Sequence, residues 1–249
     1  MKPLFCFALS LLTISSATFS KAQLIDKRVT IQPIVVCADD GSQCSSFNLF
    51  EEATDKIWAQ AGIDVDFVDT INYYHETTFL TVTTSPFAGN SFANLVGTPG
   101  HGQNASATVL NLWFVGNILT YAGFGLIGGN GMALDASGLT RIDAVAHELG
   151  HNLGLDHNTY GAGAAANLMS SPATAPSSVD NIYPDGGLLS TLNSSQIAVA
   201  RASAFAISLP ENEQYYYTPV PEPRAATALT ALALCAWALL RNRRRNSKS

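Results

Sequence analysis

Residues 147–157 read His-Glu-Leu-Gly-His-Asn-Leu-Gly-Leu-Asp-His, and this stretch constrains the chain more than any other part of its 249 residues. His147 and His151 lie four apart, so on an α-helix both imidazoles leave from one face and can chelate a single metal ion. Glu148 stands beside them to work on water at that metal. Gly154 can leave the helix through left-handed backbone, and such a turn would return His157 as a third nitrogen ligand. Three protein ligands leave one coordination position for water, which is a catalytic arrangement and not a closed structural one, and three nitrogens suit Zn2+.

The flanking sequence predicts what holds this helix. Residues 28–36 alternate and are β-branched, predicting a first strand; Ser45 or Ser46 can cap a helix running to about Ala61, where Gly62 stops it. Residues 63–68 alternate again, so the chain opens strand, helix, strand, as an α/β layer does. Residues 74–107 are rich in Thr, Ser, Asn and Gly without a sustained period and read as a long surface excursion, with His75 and His101 as surface or turn histidines outside any second metal site. Residues 109–115, 122–127 and 131–134 predict three further strands. Thr140 is the expected N-cap of the histidine helix, whose apolar face of Ile142, Val145, Ala146, Leu149 and Leu153 buries it against the sheet. A last helix opens at residues 192–196, capped by Asn193 or Ser194, and runs to about Ala206. The expected class is therefore α/β (α+β), a twisted mixed sheet with an active-site helix and a C-terminal helix.

The pattern His-Glu-x-x-His-x-x-Gly-x-x-His resembles the signature of the metzincin zinc endopeptidases, and its wording here is most similar to the matrixin and adamalysin branches. The resemblance implies a metzincin-like catalytic domain over residues 23–208, with His147, His151 and His157 as zinc ligands and Glu148 as the catalytic base. It also implies a methionine in a tight turn beneath the metal, and Met169, in Asn167-Leu168-Met169-Ser170, is the Met-turn candidate. Two residues on stands Ser171, where astacin-like and serralysin-like members place a tyrosine ligand, so no such role transfers. By the same resemblance the strand around residues 123–127 is the cleft edge to which an extended peptide adds antiparallel.

The two ends read as addresses. Lys2, the apolar run from Leu4 to about Ile14 and the small residues before Gln23 have the layout of a cleavable secretory signal peptide, expected over residues 1–22. Residues 209–219 read as an acidic, tyrosine-bearing spacer. Residues 220–249 hold Val220-Pro221-Glu222-Pro223, an apolar segment over 225–240 and an arginine cluster from Arg241. This tripartite tail resembles the PEP-CTERM sorting signal of Gram-negative bacteria, which implies an exosortase-type processing enzyme as partner. A plain tail anchor in the inner membrane is the other reading. Under either, the body faces outward: the cell surface or extracellular matrix after tail processing, otherwise the periplasm.

Residues 23–223 carry five Lys/Arg against nineteen Asp/Glu, a net charge of −14, which excludes the basic footprint that nucleic-acid binding requires. Outside the two ends only Cys37 and Cys44 remain, candidates for one disulfide closing a six-residue loop, with two free thiols as metal ligands the alternative. Together these features predict an exported zinc-dependent endopeptidase acting on protein or peptide substrates. Two rivals stand beside it: a catalytically inactive surface or matrix binding protein that keeps the zinc fold, and a zinc hydrolase acting on a peptide cross-link of the envelope.

Overall fold

A computed structural model describes residues 22–157, 159–161, 163–171, 174–184 and 187–217. The apolar part of the expected signal peptide and the sorting tail lie outside the described residues. No helix among the described residues is long and apolar enough to cross a membrane.

In chain order the elements are β1 (Gln23–Ile25), β2 (Lys27–Cys37), α1 (Glu51–Ala59), β3 (Ile63–Phe67), β4 (Asn72–His75), β5 (Thr81–Val82), α2 (Phe92–Gly97), β6 (Val109–Phe114), β7 (Asn117–Ile118), β8 (Gly123–Gly125) and β9 (Met132–Leu134). Then follow α3 (Ala144–Asn152), α4 (Ser194–Ala202), β10 (Ile207–Ser208) and β11 (Tyr215–Tyr217). The class is α/β with a mixed sheet. Its spine is β2, which pairs in parallel with β3, β4 and β6, while β9 extends the sheet in parallel from β6. The two antiparallel members are β10, short and beside the start of β2, and β8, which pairs with β9 and forms the edge.

Central strands buried on both faces should be largely apolar, and in β2 and β6 Ile31, Ile34, Val35, Leu110, Leu112, Trp113 and Phe114 are all buried, with Gln32 and Asn111 as buried polar exceptions. One face packs against α1 and α3, where Trp58 of α1 donates its indole N–H to Ala146 O at 3.3 Å and so fixes one helix against the other.

Four local expectations are corrected. The first helix begins at Glu51, with neither Ser45 nor Ser46 as its cap. The Cys37–Cys44 disulfide and the bond from Ser45 N to Val36 O hold the chain extended beside β2, and Phe50, in left-handed backbone, turns it into α1. Thr140 does not cap α3; it ends a 3-10 turn, Gly138–Thr140, because the Asp135 carboxylate collects Ser137 N, Ser137 Oγ and Gly138 N at 2.6–3.0 Å. The helix starts at Ala144, after Asp143.

The stretch 74–107 is more than a surface excursion. Phe79, Val82, Phe92 and Leu95 are buried against Ile34, Val36 and Trp113 in a second apolar cluster on the other face of the sheet. Its anchors are spaced irregularly, through a 3-10 turn, a two-residue strand and a six-residue helix, so no window of the sequence carries one period. Residues 209–217 are not a free spacer either. A 3-10 turn at Glu211–Glu213 leads into β11, which pairs antiparallel with β1, Gln23 opposite Tyr217, and Leu209 is buried with Ile25 and Ala59.

Candidate active site and metal centre

The site is assembled around α3. After Asn152 the helix ends at Leu153, and Gly154 takes φ +96°, a left-handed turn that a side chain would strain. Gly154 N returns to His151 O and Leu155 N to Gly150 O, both at 2.9 Å, which carries the chain back over the helix end and brings His157 in. The ring nitrogens of His147, His151 and His157 lie within 4.8 Å of one another, a group able to hold a metal ion.

The outer contacts of two of these rings settle which nitrogen faces inward. His147 Nδ1 lies 2.7 Å from Leu168 O, and His151 Nδ1 lies 2.8 Å from Leu155 O. A carbonyl only accepts, so each Nδ1 carries the proton and each Nε2 offers its lone pair. His147 Nε2 then sits 3.0 Å from His157 Nε2. Burial holds His147 neutral, its pKa pushed down to about 3, and burial lowers that of His151 as well. Neutral imidazoles with converging lone pairs are the donor set that Zn2+ takes, so the residues present fit the ion.

Glu148 projects from the same helix and is 6% exposed. Its Oε2 has no hydrogen-bond partner among the described residues. Burial pushes its pKa up to about 8, a rise that the Arg141 guanidinium opposes. A buried carboxyl that lines the same cleft as three converging imidazoles is placed to exchange protons there.

Met169 is fully buried beneath α3. A tight turn, closed by Ser170 N to Asn167 O at 3.1 Å, presents it; the Asn167 amide accepts from Met169 N and exchanges bonds of 2.8 and 2.9 Å with Gln196 of α4. Leu168 O of the same turn receives the His147 ring, so the methionine turn both floors the site and orients that imidazole. Gly150 faces it, and a Cβ there would run into Met169 Sδ.

The strand around residues 123–127 was expected at the cleft edge, but the close approach of its glycines, and the parts played by Asn152 and Arg141, were not read from the sequence. Gly123 and Gly125 of β8 point at α3: a Cβ at Gly125 would stand 2.6 Å from Glu148 O and 2.9 Å from His151 Cβ, and one at Gly123 would strike Glu148 Oε1. The Gly-Phe-Gly run inside a strand pattern was the available signal, since glycine in a strand marks close approach of another backbone. Asn152, fully buried, donates to Leu126 O, Gly129 O and Gly131 O at 2.8–3.1 Å and ties the end of α3 to the loop after β8. Arg141 pairs with buried Asp143 through Nε and one terminal nitrogen at 3.1 and 3.2 Å, and Ser190 Oγ donates to the same carboxylate at 3.0 Å. Between β8 and α3 runs a cleft of about 500 Å3, lined by Tyr121, Gly123, Phe124, Arg141, Glu148 and the three histidines among others.

His75 and His101 stay apart from this centre. His101 Nδ1 meets Leu95 O at 3.0 Å, and its ring centroid lies 5.0 Å from those of both Tyr74 and Phe79, tilted against each. His75 Nδ1 meets Ala38 O at 3.2 Å, beside the disulfide loop. Cys37 and Cys44 are bonded to each other, which removes them as free thiol ligands.

No protein-family model matches the chain, and no curated protein does. Solved structures do align with it. A chain of a chaperone–substrate complex aligns at 13% identity and TM-score 0.47, over 73% of this chain and 34% of its own, so this chain spans about a third of that length. Archaemetzincin from Methanopyrus kandleri aligns at 16% identity and TM-score 0.35, over 71% of this chain and 87% of that one. A zinc-dependent peptidase from Methanocorpusculum labreanum aligns at 10% identity and TM-score 0.33, over 69% and 99%. With TM-scores of 0.33 to 0.47, these likenesses leave the reading of function to the site's own geometry.

Proposed function

We propose that the protein is a zinc-dependent endopeptidase of metzincin type, exported from a Gram-negative cell. The observation that carries this reading is the pairing of three converging imidazole nitrogens with a buried carboxyl whose Oε2 lacks a partner among the described residues. His147, His151 and His157 would hold the ion. Zinc, when bound, supplies a Lewis acid that acidifies water and polarises a scissile carbonyl. Glu148 would take a proton from the attacking water and pass it to the leaving amine, a role supported by its place in the cleft beside the three histidines.

The substrate would be an extended protein or peptide. Ala122 O accepts from Asp135 N, and Leu126 N donates to Gly131 O, so Ala122, Phe124 and Leu126 face β9. Alternation in an antiparallel ladder then turns the N–H and C=O of Gly123 and Gly125 to the free edge. A peptide laid antiparallel there gains backbone hydrogen bonds while glycine leaves Glu148 room to approach. The acidic body, at −14, disfavours nucleic acid as a partner. For the tail we propose exosortase-type processing, with transient or permanent inner-membrane contact through residues 225–240 and release to the cell surface or matrix.

The test compares the purified protein with its Glu148→Ala variant on a diverse peptide library with zinc. Both are expected to bind one zinc, and the variant to lose roughly 10²–10⁴-fold in cleavage rate. Equal cleavage by the two would remove Glu148 from the mechanism. Zinc binding without cleavage by either would favour the binding-protein reading.

A further inference from the structure

The cleft is polarised along α3. Ala122 O lies against Gly138, at the approach to the helix; Gly123 lies against Glu148; Gly125 lies against His151 Cβ; and Gly128 N donates to His151 O at 2.8 Å, near the helix end. The β8 strand and α3 therefore run in the same direction. A peptide antiparallel to β8 travels the other way, from the His151 end toward the Gly138 end. Its residues beyond the cleaved bond, on the carboxyl side, run toward Arg141, whereas Asp156 lines the cleft at the opposite end of α3. This step rests on the peptidase reading above.

Arg141 is the one basic side chain among the described residues lining the cleft. The others are tied elsewhere: Lys27 to Ala206 O, Arg28 to Asp64, Lys56 to Val179 O and Arg201 to Asp26. The Arg141 guanidinium is one-third exposed and is held by a carboxylate only 1% exposed, which Ser190 Oγ pins in turn. Nε and one terminal nitrogen face Asp143, so the second terminal nitrogen keeps donors for a ligand. Asp156 does not compete for it, since it sits past the other end of a helix about 13 Å long and accepts from His157 N. An arginine fixed in this way is a preorganised donor to a carboxylate.

We propose that Arg141 selects substrates bearing a carboxylate on the carboxyl side of the cleaved bond, whether an acidic side chain or the free end of the peptide itself. The full-length protein with zinc would be given matched peptides carrying Glu or Gln at successive positions beyond the cleaved bond, each made as free acid and as amide. Wild type is expected to favour the carboxylate roughly tenfold or more in kcat/KM, as a charge-assisted contact allows. A Glu-over-Gln preference identifies a side-chain carboxylate; a free-acid-over-amide preference identifies the terminus. In Arg141→Gln the ratio should fall toward one. The double variant Arg141→Gln/Asp143→Asn removes the buried charge that the single change strands, and keeps the ratio measurable where the single variant fails to fold. Fluorescence anisotropy of the same peptides on zinc-loaded Glu148→Ala should give the same ordering without turnover. Cleavage with no carboxylate preference, or a preference that survives loss of Arg141, overturns the role of Arg141 and leaves the peptidase reading intact. Ordered binding without any cleavage does the reverse, and no ordering in either assay overturns it.

Discussion

Two regions of this molecule handle histidine in the same way on one side of the ring and oppositely on the other. His101, in the apolar cluster behind the sheet, and His147 and His151, on α3, all place Nδ1 within 2.7–3.0 Å of a backbone carbonyl. The difference lies in what surrounds the rest of the ring. His101 meets the rings of Tyr74 and Phe79 at 5.0 Å, whereas the three site imidazoles lie 4.7–5.1 Å from one another. A carbonyl on Nδ1 is therefore no mark of a metal ligand. It fixes a tautomer, and the fixed lone pair becomes a ligand only where others converge on the same point.

Removing one histidine from each region tests that distinction most sharply. His151→Ala should lose zinc by more than about a hundredfold in affinity, beyond what loss of an outer contact costs, while His101→Ala should keep its zinc and lose only packing. Metal analysis of both purified variants decides it, and zinc loss from His101→Ala would break the comparison.

A smaller effect separates the site from the packed cluster by pH. The Glu148 carboxyl has an ordinary pKa of 4.5 and is pushed up to about 8 by burial, so the folded chain holds a proton there that the unfolded chain releases above 4.5. Burying it thus costs stability increasingly as pH rises from 4.5 to 8, and costs none of this below 4.5. Metal-free Glu148→Gln should therefore be more stable than wild type by about 1–3 kcal/mol at neutral pH, with the gain gone in acid. Denaturant midpoints at the two pH values measure it, and a gain independent of pH would remove burial of the carboxylate as its cause.

A stability effect of similar size concerns the glycine edge. Gly125→Ala drives a Cβ into Glu148 O and His151 Cβ and should cost about 1–3 kcal/mol together with peptide cleavage, while Gly163→Ala, with nothing within 4 Å, should change neither. Thermal melts and a peptide assay on the pair would reveal whether β8 sits on α3 as tightly as the geometry requires.

The ligand spacing was legible because its information is local. Four residues are one helical turn, and a glycine at Gly154 allows one reversal, so His147, His151 and His157 could be placed together without knowing the sheet. The strands β2, β3, β6 and β9 were legible through alternation or apolar runs, and Asn193 through its cap chemistry, which the structure shows accepting from Ser195 N and Gln196 N at 3.0 Å. What failed was capping by distant partners. Ser45 is held to β2 beside a disulfide, and Thr140 is preceded by a turn that Asp135 winds, so neither is free to start a helix. The stretch 74–107 misled because its buried residues answer to Ile34 and Trp113, not to one another.

By itself, then, the sequence determined the donor set, the carboxyl beside it, the α/β class and the one disulfide pair left in the acidic body. Each follows from residue identity and short-range periodicity. Only the tertiary structure decided which ring nitrogens face inward, because Leu168 O and Leu155 O come from separate turns. It also decided that Gly123 and Gly125 admit Glu148, that β11 closes on β1, and that Arg141 lines the cleft. The physical reason is common to all of these: each depends on two segments distant in sequence meeting at hydrogen-bond or van der Waals range, which no local pattern encodes.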